Sequence, residues 1–121
     1  MILFDSNILV YSASNEYKYL RDLIKNNQGG YSIISKLEVL GYHKITTEQT
    51  KYFDAIFNII DCFPITEEVI SQAIKYRKKF NMSVGDAIIG ATAKIYNCTL
   101  YTNNVKDFKN INDIKIVNPI L

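Results

Sequence analysis

The sequence has no apolar run approaching the roughly 18–20 residues that cross a bilayer, and no basic segment precedes its first apolar stretch. A membrane protein is therefore not expected, and the chain reads as cytoplasmic. Cysteine is scarce: Cys62 and Cys98 are the only two, and neither sits in a paired motif. A small scaffold stapled by disulfides would carry more, so both are expected to be reduced packing residues. Histidine is scarcer still. His43 has no histidine or cysteine at ligand spacing, which favours a surface or partly buried role over metal binding. Neither sign of charge dominates, with 14 basic and 12 acidic residues. That balance neither demands nor excludes a nucleic-acid partner, because a local patch matters more than the total. Repeats, low-complexity tracts and linkers are also lacking.

What is present suits one domain, residues 1–121, with 48% hydrophobic and 21% charged residues. Five short β-rich runs stand out: Ile2–Phe4, Tyr31–Ser35, Asp61–Ile65, Thr99–Thr102 and Lys115–Val117. Helical spacing of apolar residues is clearest over Glu48–Ile60 and Thr66–Asn81. Ala87–Tyr96 is apolar nearly all round, as a buried helix is. Tyr17–Asn27 and Lys36–Ile45 are weaker helices, and Gly29-Gly30 is the strongest turn signal. Strands alternating with helices predict an α/β fold, a largely parallel sheet covered on both faces.

In such sheets chemistry gathers beyond the carboxyl ends of the strands, where strand order reverses. Asp5 directly follows the first strand in "ILFDSN", where a carboxylate beside core residues is costly unless something pairs with it. Glu38 lies in "SKLE" after the second strand, Asp86 in "SVGDA" opens the buried helix, and Asn104 and Asp107 follow "TLYT". Each acid also has a plainer reading. "SKLE" and "SVGD" have capping-box register, and Asp5 suits the N-cap of a helix starting near Ser6 or Asn7. Gathered at one sheet edge, however, the three acids would repel. A hard divalent cation such as Mg²⁺ or Mn²⁺, which prefers carboxylate and water oxygens, removes that conflict.

Two further features are weighed the same way. Arg77, Lys78 and Lys79 form either a solvated face or a phosphate track. The nine tyrosines scatter over several elements and define no stacking platform. A phosphotransfer receiver lacks its second acid and its lysine here, and a haloacid-dehalogenase phosphatase lacks its D-x-D.

Four blocks in order, "ILFDSNILVY", "SIISKLEVL", "NMSVGDAIIGATA" and "TLYTNNVKDF", together resemble the PIN domain family, and the length resembles its VapC-type toxins. The resemblance implies a three-layer α/β/α fold around about five parallel strands. It implies a metal-dependent endoribonuclease with Asp5, Glu38 and Asp86 as the acidic cluster. Asp5 and Asp86 would bind Mg²⁺ or Mn²⁺, with Glu38 binding directly or through water, and Ser6 and Asn7 would hold the carboxylates in place. The last block offers Asn104 where many relatives carry Asp, and either Asn104 or Asp107 would complete the site. An RNA substrate, a cognate antitoxin and a homodimer are implied as partners. A catalytically weakened PIN-fold binding module or a housekeeping RNA-processing nuclease is the alternative.

Overall fold

The computed structural model describes residues 1–26 and 28–120. Its centre is a five-stranded, wholly parallel sheet built from β1 (Ile2–Phe4), β2 (Gly29–Ser32), β3 (Asp61–Phe63), β4 (Thr99–Tyr101) and β5 (Ile116–Val117). The spatial order is β3-β2-β1-β4-β5, so the chain winds outward in one direction through β3 and then resumes on the other side of β1. The reversal therefore falls between β1 and β4, the position where open parallel sheets leave a crevice.

Alternate strand residues feed two cores, as the two-residue period of a strand requires. Leu3 and Leu100 face one core with Val69, Ala73, Ile89 and Phe108. Phe4, with Tyr101 packed beside it, faces the other, with Ile8, Leu9, Leu20, Phe53 and Phe57. Helices α1 (Ser6–Ser12), α2 (Tyr19–Asn26), α3 (Ile33–Leu40) and α4 (Thr47–Ile59) supply the second core; α5 (Glu67–Lys79), α6 (Val84–Ile95) and the short α7 (Val105–Phe108) supply the first. The result is the expected three-layer α/β/α sandwich. Among the described residues, no helix is long and apolar enough to cross a membrane.

Several boundaries differ from expectation for identifiable reasons. Gly29 and Gly30 lie inside β2 instead of forming a turn. A Cβ on Gly29 would come within 2.6 Å of the Phe4 ring, and one on Gly30 would collide with the Asp61 carbonyl. Glycine here serves close approach of neighbouring strands. The second strand consequently starts and ends earlier than predicted, and Ser32 caps α3 by accepting from Ile34 N at 3.4 Å. That start puts Glu38 in the second turn of α3, so the predicted Ser35–Glu38 capping box does not form. Ser35 is instead buried inside the helix. Helix α3 stops at Leu40, which leaves His43 exposed in the following loop instead of on the Glu38 helix.

The α6 helix begins one turn before Ala87, because Ser83 accepts from Asp86 N at 3.1 Å. Helix α2 is shorter than the predicted Tyr17–Asn27, with a 3-10 turn over Asn15–Tyr17 before it; Asn27 lies outside the described residues. Both cysteines are free, but only Cys98 packs in the core and Cys62 is exposed on the edge strand β3. Tyr11, Tyr17 and Tyr19 do meet, in consecutive edge-to-face contacts of 5.0 and 6.3 Å between centroids.

Candidate active site

Asp5 is the first residue after β1 and is only 6% exposed. Its backbone N–H continues the sheet by donating to Tyr101 O at 3.0 Å. Its side chain caps α1, with Oδ1 accepting from Ser6 N at 2.8 Å. The capping reading is thus correct, yet it uses one oxygen only. Oδ2 accepts from Thr102 Oγ1 at 2.8 Å and from Asn7 Nδ2 at 3.3 Å. Even so, burial raises the Asp5 carboxyl above its ordinary value, the Thr102, Ser6 and Asn7 bonds offset that only in part, and the Glu38 charge adds to the rise.

Thr102, which sequence reasoning did not single out, joins the first and last blocks. It follows β4 as Asp5 follows β1, and the parallel pairing Phe4↔Tyr101 sets them side by side. Asn7 reinforces the seam: its amide donates to Thr102 Oγ1 at 3.2 Å, and its carbonyl oxygen accepts from Asn103 N at 3.0 Å. The signal available in sequence was the pair of polar residues, Asp5 and Thr102, each ending an apolar strand.

Glu38 reaches the site from α3. Its Oε1 accepts from the Ser6 hydroxyl at 3.1 Å, and Ser6 Oγ lies 2.9 Å from the buried Ser35 hydroxyl. On its other side Glu38 approaches α6, where a Cβ on Gly85 would stand 3.9 Å from Oε2. Asp86 follows Gly85 in the first turn of α6. Burial raises its carboxyl; the Ser83 bond opposes that, while the Asp107 and Asp5 charges and a shared hydrogen bond with Asp107 add to it. Asp107, on α7, is therefore the fourth acid against this cleft. Asn104 stands behind it: its amide donates to Asp107 Oδ2, and its backbone N–H donates to Thr102 Oγ1 at 3.0 Å.

The fold thus brings Asp5, Glu38 and Asp86 to one edge, and adds Asp107 with Asn104 as its partner. His43 and the cysteines are not hydrogen-bonded to any of them. Among the described residues, no three His, Cys, Asp or Glu side chains converge closely enough to enclose an ion. The donor set is instead one of hard oxygens around an open cleft, which fits a cation that keeps several waters and takes one or two carboxylates, as Mg²⁺ does. Burial is the larger cause of the elevated Asp5 and Asp86 carboxyls and the neighbouring acids add to it; a bound cation would offset both.

Comparison with known proteins agrees with this geometry. The chain is similar to Ribonuclease VapC2 of Methanocaldococcus jannaschii, with 25% identity across 96% of this chain and 92% of that protein. Its fold superposes on a toxin–antitoxin complex from Klebsiella pneumoniae with a TM-score of 0.83 and 26% identity, covering 99% of this chain and 98% of the other. VapBC2 of Rickettsia felis, bound to a DNA fragment from its promoter, gives 0.81 with 24% identity and 98% coverage of both chains. The family model of the PIN domain matches residues 2–114. That match spans every strand but β5 and every acid of the cleft, and the chain belongs to the PIN domain family.

Proposed function

We propose that this protein is a metal-dependent endoribonuclease and the toxin of a toxin–antitoxin pair. The observation that carries the reading is the approach of Asp5, Glu38, Asp86 and Asp107, from separate segments of the chain, to one open cleft at the switch point of the sheet. The relative's identity as a ribonuclease and the toxin–antitoxin origin of the similar structures support it.

Asp5 and Asp86 are the residues to hold Mg²⁺ or Mn²⁺. Such a cation supplies a nearby positive charge for in-line attack of water on a phosphodiester and for the charge that builds on the phosphoryl oxygens. Asp5 enters already oriented, because three donors fix both of its oxygens. Glu38, exposed and tethered by Ser6, is placed to accept a proton from the attacking water. Asp107 supplies a fourth carboxyl at the cleft where Asn104 does not, which favours the active enzyme over the weakened binding module. Asn104 acts as a positioning residue for Asp107.

An antitoxin partner accords with the complexes above, and the basic side chain of an inserted arginine would answer the carboxylates as a cation does. A homodimer is supported by apolar side chains left in solvent on α3 and at the start of α6, Leu37 at 72% exposure and Val84 at 54%. The test is cleavage of a structured RNA by purified protein with Mn²⁺, with Mg²⁺ and with chelator. Cleavage only in the presence of the metals is expected; no cleavage under any condition would leave the binding module standing.

A further inference from the structure

Beyond the acidic cluster, a cleft of about 410 Å³ opens from Asp86 and Asp107 between the α5–α6 loop and α7. Its walls combine three chemistries. Lys106 and Lys109 supply cations, Phe80 and Met82 an apolar surface, and Asn81 and Asn110 amides that both donate and accept. Both lysines are exposed, and neither is engaged in an ion pair among the described residues. The loop wall is braced from outside, since Arg77 Nε donates to Met82 O at 3.2 Å, and Lys79 lies over the Phe80 ring at 5.5 Å. Two members of the basic run, Arg77 and Lys79, thus shape the cleft without lining it.

We infer that this cleft is a nucleotide subsite that seats one unpaired RNA residue next to the scissile phosphate. The inference rests on the nuclease reading and adds to it the side chains that would hold the nucleotide beside the cut. The volume falls within the range of small-ligand sites. A base set between Phe80 and Met82 would present its edge to Asn81 and Asn110, while Lys106 and Lys109 meet the phosphates on either side. Unpaired bases are read in this way, by apolar stacking and amide hydrogen bonds, and a base held in a duplex could not reach these walls.

The experiment measures binding of labelled single-stranded uridine and adenosine oligoribonucleotides against salt, in chelator so that no strand is cut. It is paired with cleavage kinetics of the same strands in Mn²⁺. Lys106→Ala and Lys109→Ala are each expected to lower the slope of log affinity against log salt by about 0.7. They should raise KM several-fold with kcat nearly unchanged. Asn81→Ala and Asn110→Ala should keep the slope but change the uridine-to-adenosine preference. Lys25→Ala and Lys51→Ala, on α2 and α4, should match wild type throughout. If wild type binds and cuts while the lysine variants keep its slope and KM, the subsite is overturned and the nuclease reading stands. Slope losses as large in the α2 and α4 controls would also overturn it, by making the attraction diffuse. A wild type that neither binds nor cuts overturns the nuclease reading, and the subsite falls with it.

Discussion

The Thr102 hydroxyl has one hydrogen, and its surroundings leave that hydrogen a single destination. Two donors, Asn7 Nδ2 at 3.2 Å and Asn104 N at 3.0 Å, occupy its acceptor sites, so it donates to Asp5 Oδ2 at 2.8 Å. A residue 97 positions away thereby fixes the carboxylate that closes the first strand.

Thr102→Val keeps the shape and removes the donor. A hydrogen bond to a charged group contributes about 1.5–3 kcal/mol, so thermal or urea unfolding should report a loss of that order. Mispositioning Asp5 should reduce kcat/KM about 10–100-fold, the usual scale for a group that orients a ligand. Thr102→Ser, which keeps the hydroxyl, should restore most of both.

Asp5→Asn and Asp86→Asn should each lower cleavage by about 100-fold or more, the scale on which lost transition-state charge stabilisation acts. Circular dichroism should remain that of the wild type. Without metal, Asp86→Asn should melt at a higher temperature, because it removes a charge that burial penalises and that neighbouring acids repel. Wild-type turnover by either variant would exclude that residue from the metal site.

The pH dependence has a defined sign. Asp5 and Asp86 both hold their protons more tightly in the folded chain than their ordinary value of 3.8. In the absence of metal, stability should fall as pH rises from that value through the raised folded ones, and level off above them. Divalent binding needs the ionised carboxylates and should therefore strengthen across the same window. Melting curves with and without Mn²⁺ should converge at acid pH and separate towards neutrality.

Glu38→Gln tests a side chain that caps nothing. Its place in the second turn of α3 gives no reason for a change in unfolding free energy, and Gln can still accept from Ser6. The loss of a carboxylate able to take a proton should appear in kcat, by about 10²–10⁴-fold. An unchanged rate would reduce Glu38 to a surface acid.

Asp107→Asn and Asn104→Asp separate the two candidates for the fourth position. Because Asp107 shares a hydrogen bond with Asp86, Asp107→Asn should weaken Mn²⁺ binding measured by calorimetry. Asn104→Asp removes the donor that steadies Asp107 and adds a like charge beside it, so its larger effect should be on stability. Tighter Mn²⁺ binding by Asn104→Asp, with no effect of Asp107→Asn, would reverse the assignment.

Much of this was legible in the chain because alternation and helical spacing are local signals. Five strands, the main helices and the edge shared by Asp5, Glu38 and Asp86 follow from them. What escaped depended on partners distant in sequence. Gly29 and Gly30 look like a turn until Phe4 and Asp61 are laid against them. Ser35 looks like a cap until the earlier start of α3 buries it beside Ser6. Thr102 looks like the end of a strand until the pairing of β1 with β4 sets it against Asp5. The choice between Asn104 and Asp107 stayed open in the sequence because α7 is too brief for a periodic signal; in the fold Asp107 comes near Asp86 and Asn104 donates to Asp107.

The order in which the acids occur has a consequence for synthesis. Asp5, Glu38, Asp86 and Asp107 are widely separated in sequence, and Asp5 is oriented by a threonine that emerges 97 positions after it. A chain still on the ribosome, or clipped before β4, lacks both the donor that aims the first carboxylate and the last acid. The central strand also lacks one neighbour, since β1 gains its β4 partner only at that stage. Such contacts between distant segments form late, because their loops must close first. Assembly of the acidic cleft is therefore deferred until β4, Thr102 and α7 have all been made.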